Sequence, residues 1–220
     1  YDASDIFLLD GQELVPCKPG SISPSCTSGG THSTKIESFL KIAFNLSGNT
    51  WTVWQKNGSL TRFTRLMGMT GTTGSAALET FRWGVAEVRN PSGNTSQFVW
   101  LNHSDTEAYP LRVSYSGSAV SVDLQWETRP DPISYADGRA VRRVTQRLRA
   151  IENRISNTRV RITQVSYSTG NPRSLLTSVI TSGRDGATSA PLAAIKYVGN
   201  AEANGAADLQ FQRAWHQPEG

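Results

Sequence analysis

Glu127, Arg129 and Asp131 alternate along the segment WETRPD, which ends at Asp131. Two carboxylates flanking a cation are a pattern that acid–base catalysis uses. In an extended strand alternate side chains share a face, so Glu127 and Asp131 would flank Arg129. The competing chemistry is architectural: a charge-assisted network that locks a sharp corner, with Pro130 and Pro132 fixing the backbone. We adopt the second reading. The three histidines, His32, His103 and His216, are widely scattered. No H-x-x-x-H, serine elbow or metal-ligand spacing joins them, so they read as surface or loop residues. A Ser–His–Asp set assembled in space stays open, as it does for any single sequence. No catalytic residue, metal site or cofactor is therefore expected.

Cys17 and Cys26 lie in a Pro/Ser/Gly-rich loop, PCKPGSISPSCTSGG. A metal site needs more ligands than this, and the CxxC redox spacing is absent. A local disulfide is the favoured reading and two free thiols the alternative. A disulfide would add about 2–3 kcal/mol on the chain-entropy model and would indicate an oxidising, secreted or extracellular setting. The six tryptophans are Trp51, Trp54, Trp83, Trp100, Trp126 and Trp215. Most are expected to pack between strands. Trp51 and Trp54 are candidate glycan-stacking residues, because an exposed aromatic face fits a pyranose ring.

The elements that must position these residues are short strands. Only 18% of the 220 residues are charged and 37% are hydrophobic, with Ser, Thr, Gly and Asn plentiful. That balance suits β structure with many turns. The net charge of +4 is local, because six arginines fall between Arg139 and Arg154. No nucleic-acid motif accompanies them, and apolar residues interrupt them, so a solvated strand face or local salt bridges is the expectation. No apolar run reaches the roughly 18–20 residues needed to span a bilayer. No signal peptide is visible and no methionine begins the chain, which reads as a mature protein or an excised segment.

Asp10-Gly11 and Asn57-Gly58 mark hairpin turns. Pro91-Ser92-Gly93-Asn94 and Asn171-Pro172 mark two more turns. Residues 66–78 are small and Gly/Thr-rich and read as a mobile loop or a close-packed crossing. Val120, Val122, Leu124 and Trp126 alternate without a fault, which predicts a strand. Val141, Val144, Leu148, Ile151 and Ile155 instead follow the spacing of a helix stripe, with a bulged strand as the competing reading. Gly199–Asp208 reads as a linker, and Leu209–Trp215 as the start of a further element.

The stretch WETRPDPISYADGRAVRRVTQRLRAI, Trp126 to Ile151, resembles the signature of the SpvB/TcB family, shell-forming subunits of bacterial toxin complexes related to Rhs proteins. The corresponding residues are Glu127, Arg129, Pro130 and Asp131 in an E-x-R-P-D corner, then Tyr135 and Gly138 in a Tyr-x-x-Gly turn. Arg147, Leu148 and Ile151 follow in a strand. LDGQELV, THSTKIESFLKI, WTVWQKNGSLTRF, FRWGVAEV, YPLRVSY and SLLTSVI follow the family's order, so the resemblance covers most of residues 6–198. The Cys17–Cys26 loop looks like an insertion, and Pro91-Ser92 stands where the family often has an aspartate.

The resemblance implies an all-β fold: antiparallel sheets forming an open shell or sandwich-like segment of a larger β-structure. It implies strand for Val141–Ile155. It also implies a β-domain over 1–198, with 199–220 as linker and start of a further element. The function implied is a structural segment that encapsulates or presents a toxic effector carried elsewhere, with no enzymatic activity of its own. Its partners would be other β-shell segments or partner toxin subunits. The alternative is a carbohydrate-binding or adhesive β-domain of a secreted bacterial protein, with glycan as its ligand.

Overall fold

The structure, a computed structural model, describes residues 6–68, 80–104, 107–115, 117, 119–137, 140–168, 173–187, 189–194, 196–200 and 208–212. The first seven strands are β1 (Phe7–Leu9), β2 (Gln12–Pro16), β3 (His32–Thr34), β4 (Lys41–Asn45), β5 (Thr50–Trp54), β6 (Leu60–Gly68) and β7 (Thr80–Arg89). Then come β8 (Thr95–Ser104), β9 (Glu107–Tyr115), β10 (Val120–Asp137), β11 (Ala140–Ile155), β12 (Thr158–Tyr167), β13 (Leu176–Ser182) and β14 (Ser189–Ala194). These fourteen strands form one open antiparallel sheet in which each strand neighbours the next in sequence. The all-β expectation holds. A separate hairpin joins β15 (Lys196–Asn200) to β16 (Asp208–Gln212). Gly199, Asn200 and Asp208, read in the sequence as linker, thus belong to paired strands.

The turns follow local chemistry. Asp10 (φ 49°) and Gly11 (φ 81°) both take positive φ, the requirement of a two-residue turn whose twist matches its strands. Asn57-Gly58 and Ser92-Gly93 use a three-residue variant, with Gly58 (φ 82°) and Gly93 (φ 84°) in the left-handed position. Ser156 (φ 47°) and Asn157 (φ 63°) turn β11 into β12 and give little sequence warning.

Two compact units result: Tyr1–Val120 with Tyr135–Arg143, and Ser121–Ser134 with Val144–Gly220. The core of the first is Leu14, Ile42, Trp51 and Val53, with Phe7, Phe44, Phe63 and Trp83 packed against it. Alternation explains it. Ile42 faces Val53 across the β4–β5 ladder, and Phe44 faces Trp51 two residues on, on the same face. The sheet curls within this unit, because Phe7 on β1 reaches Trp83 on β7 with ring centroids 5.7 Å apart. Gly84 permits close packing there, since a Cβ would lie 2.2 Å from the Leu66 Cδ1 and 2.9 Å from Trp100.

Residues 141–155 are strand, as the family resemblance implies and against the helical spacing. The stripe is not a buried face: Val141 is 72% exposed and Ile155 51%, whereas Ala150 and Glu152 are buried. Around Arg142 and from Arg149 to Asn153 the burial alternates by two, as in an extended chain. The arginine cluster is also not a uniformly solvated face. Arg142 is fully buried, Arg147 and Arg154 are ion-paired, and only Arg143 and Arg149 of those described are classed as exposed.

Candidate functional site: a paired-charge network

The sequence places Asp123, Gln125, Glu127, Arg129 and Asp131 on one face of β10 by simple alternation. The structure gives each a partner. Asp123 meets Arg154 (3.2 Å), Gln125 donates to the Glu152 carboxylate (2.8 Å), and Glu127 accepts from Arg147 Nε (2.7 Å). As the number rises on β10 it falls on β11, the order that antiparallel pairing dictates. Glu152 is buried and also receives two cations, Arg154 Nη2 and Arg159 (3.6 Å).

Arg129 grips Asp131 two residues along the same face, donating from Nε (3.3 Å) and Nη2 (3.0 Å). Both side chains are nearly buried. The backbone N–H of Ser174 donates to Asp131 Oδ2 at 2.8 Å, and the Ser174 hydroxyl donates to Oδ1. That hydroxyl accepts in turn from Arg147 Nη1 (2.8 Å), whose guanidinium lies 4.4 Å from the Tyr167 ring centre. Tyr167 donates to the Leu148 carbonyl at 2.7 Å, and burial pushes its phenol upward in pKa. One chain of contacts therefore ties β10, β11 and the end of β12 to the segment before β13.

The residues expected to lock a corner, from Glu127 to Tyr135, lie within strand β10. β10 runs unbroken through Pro130 and Pro132, whose side chains face solvent on the side opposite Arg129 and Asp131. The prolines remove backbone donors, but the charges on the other face hold the strand extended. Tyr135 lies on the same strand and is 37% exposed. Gly138 lies outside the described residues. Arg129 pairs with Asp131 and not with Glu127, so the expected carboxylate pair around one cation is not formed. The Arg129 hydrogen bond first, then those from Ser174, hold the Asp131 carboxyl well below the usual range. A carboxylate so stabilised in its charged form is a weak base, and it is not a proton donor near neutrality.

The other candidates separate. Trp51, a candidate glycan platform, is 6% exposed, with Phe44, His32 and Phe7 rings 4.6, 4.9 and 5.0 Å from its own. No sugar can reach it. Trp54 points to the opposite face, half-buried, with Lys41 Nζ 4.9 Å from its ring. His32 belongs to the aromatic core, not to the surface, and burial lowers its pKa. His103 is exposed beside Tyr109, and His216 and Trp215 lie outside the described residues, as do Asn171-Pro172 and most of the Gly/Thr-rich loop. Cys17 and Cys26 form the disulfide, with Cα atoms 5.4 Å apart. Among the described residues no group of three or more His, Cys, Asp or Glu could hold a metal ion, and no helix is long and apolar enough to cross a membrane. Ser174 was invisible in the sequence, because 43 residues separate it from Asp131.

This meander has the fold of the SpvB/TcB type that the Trp126–Ile151 signature resembles. The chain is similar to the N-terminal domain of effector protein SpvB from Salmonella typhimurium, with a TM-score of 0.61 at 17% identity, over 83% of this chain and 82% of that one. It is similar also to the Photorhabdus luminescens Tc holotoxin pore, with a TM-score of 0.64 at 15% identity, over 90% of this chain and 13% of that one. The TcdB2-TccC3 structure matches with a TM-score of 0.62 at 13% identity, over 86% of this chain and 13% of its own. No family model and no curated protein matches the chain significantly.

Proposed function

We propose that the chain is a structural β-segment of a secreted toxin-complex or Rhs-like protein. It helps to enclose or present an effector carried elsewhere, and it does no catalysis itself. The observation that carries this reading is the open fourteen-strand meander, superposable on the SpvB N-terminal domain over 83% of the chain. The charge network supports it as well: Glu127–Arg147 and Asp123–Arg154 join β10 to β11, Ser174 links Asp131 to Arg147, and Glu152 meets Gln125 and Arg159 on the neighbouring strands, which stiffens the sheet. Its partners are then further β-segments of the same protein or partner toxin subunits. The Cys17–Cys26 disulfide fits an oxidising, extracellular setting.

The test is cryo-electron microscopy of the full-length gene product that contains this chain, combined with limited proteolysis. A β-walled chamber with a protease-protected segment inside is the expected result. A free-standing domain that encloses nothing, in a protein whose remaining segments are cut at the rate of an open chain, would overturn it.

A further inference from the structure

The seam between β3 and β4 is the thinnest in the amino-terminal part of the sheet. A single residue pair, His32 with Ile42, joins them, against three pairs between β2 and β3 and five between β4 and β5. The loop closed by the disulfide supplies the missing bonds. Ser25, 1% exposed, sits in the short helix α1 (Pro24–Thr27) and inserts its hydroxyl into the seam. That hydroxyl accepts from the Ile42 backbone N–H at 2.9 Å and donates to the His32 carbonyl. Outside the disulfide loop, directly before β3, Thr31 Oγ1 accepts from Phe44 N–H at 2.7 Å, and Thr31 N–H donates to the Ile42 carbonyl at 2.8 Å. Gly30 has no room for a side chain: a Cβ would lie 2.4 Å from Ser25 Oγ and 2.8 Å from the Ile42 carbonyl.

One turn of helix does not persist alone, because nucleation costs more than one turn's hydrogen bonds return. α1 is held in place at its start by the Ser23 cap, which accepts from Cys26 N–H at 3.3 Å, and covalently by Cys26 itself. We propose that the Cys17–Cys26 loop is a redox-sensitive lock on the β3–β4 seam, keyed by Ser25. This inference stands apart from the shell reading. The reductant is a dithiol. One of its thiolates attacks a sulfur of the disulfide and expels the other as a thiolate. Its second thiol then closes a disulfide within the reductant, so two electrons and two protons pass to Cys17 and Cys26. Both cysteines are partly exposed, which gives a small dithiol access. With the crosslink gone, α1 loses its tether, Ser25 leaves the seam, and the Ile42 amide opens to water.

Amide hydrogen exchange tests this on the chain before and after treatment with dithiothreitol, and on the Cys17→Ser/Cys26→Ser variant. Losing the buried hydrogen bond from the Ile42 N–H to Ser25 should speed exchange of Ile42 roughly tenfold. Protected amides of β5 and β6 should keep their rates, and reoxidation should restore the original pattern. Ser25→Ala, with the disulfide intact, should reproduce the Ile42 change alone. Unchanged exchange at Ile42 after reduction overturns the proposal and leaves only a local staple. Equal acceleration throughout β4–β6 overturns it too, because the disulfide would then stabilise the unit as a whole.

Discussion

The first unit buries Leu14, Ile42, Trp51 and Val53 behind a ring of aromatic edges, whereas the second buries Glu152 among arginines and holds Asp131 between Arg129 and Ser174. Both are antiparallel meanders, so strand pairing does not distinguish them. The difference lies in the cluster that dominates each, for the first unit also buries Glu107 and Arg142 and the second also buries Ala150 and Ile162. Apolar burial is non-directional and scales with area, so it tolerates pH and salt. A charged network is directional: complete, it fixes one register, and broken, it leaves a charge with nothing to answer it.

The largest expected effect comes from breaking the aromatic side of this contrast. Trp51 packs against the rings of Phe7, His32, Phe44 and Trp83, and Trp51→Ala should cost about 3–5 kcal/mol, in the range for large aromatic truncations. Chemical denaturation followed by fluorescence measures it. A loss under about 1 kcal/mol would show that the cluster is peripheral to the unit's stability. Glu152→Gln comes next. It keeps the shape but removes the charge facing Arg154 and Arg159, and should cost about 2 kcal/mol, since both arginines retain some solvent. Amide exchange in β10, β11 and β12 should rise. A variant as stable as the parent would mean that the second unit rests on its apolar contacts after all.

Much of this contrast was legible in residue order. The Asp10-Gly11 and Asn57-Gly58 turns and the alternation from Val120 to Trp126 reported local geometry, and the structure has those turns and that strand. The helical period of Val141–Ile155 misled because periodicity counts apolar residues only. Here the buried positions include Arg142 and Glu152, polar residues that satisfy the two-residue period of a strand. The grouping of Glu127, Arg129 and Asp131 on one face was legible from spacing, but their partners were not. Ser174 reaches Asp131 across 43 residues, and Arg147 reaches Glu127 across 20, distances at which no local pattern operates. The roles of Trp51 and Trp54 turned on which face of β5 met the core. Their spacing could show only that they face opposite ways.

Acid should separate the two regions further, through two groups with pKa values lowered for different reasons. His32 is lowered by burial among Phe7 and Trp51, with Thr31 Oγ1 2.9 Å from Nδ1. The unfolded chain takes up this proton near pH 6.5 and the folded chain only at lower pH. Stability of the first unit should therefore begin to fall as pH drops below about 6.5, and His32→Phe should flatten that slope. Asp131 is lowered by Arg129 and Ser174, so its contribution is complete above the ordinary carboxylate value of about 3.9 and fades only below it. Arg129→Ala should destabilise the second unit at neutral pH, narrow that acid response and leave the slope near pH 6.5 untouched. Denaturation midpoints for the parent and both variants between pH 7 and pH 3 decide the matter (values set by the ordinary His and Asp ranges, about 6.5 and 3.9). If Arg129→Ala changed the slope near pH 6.5, or His32→Phe the response below 3.9, the assignment of each titration to its own region would fail.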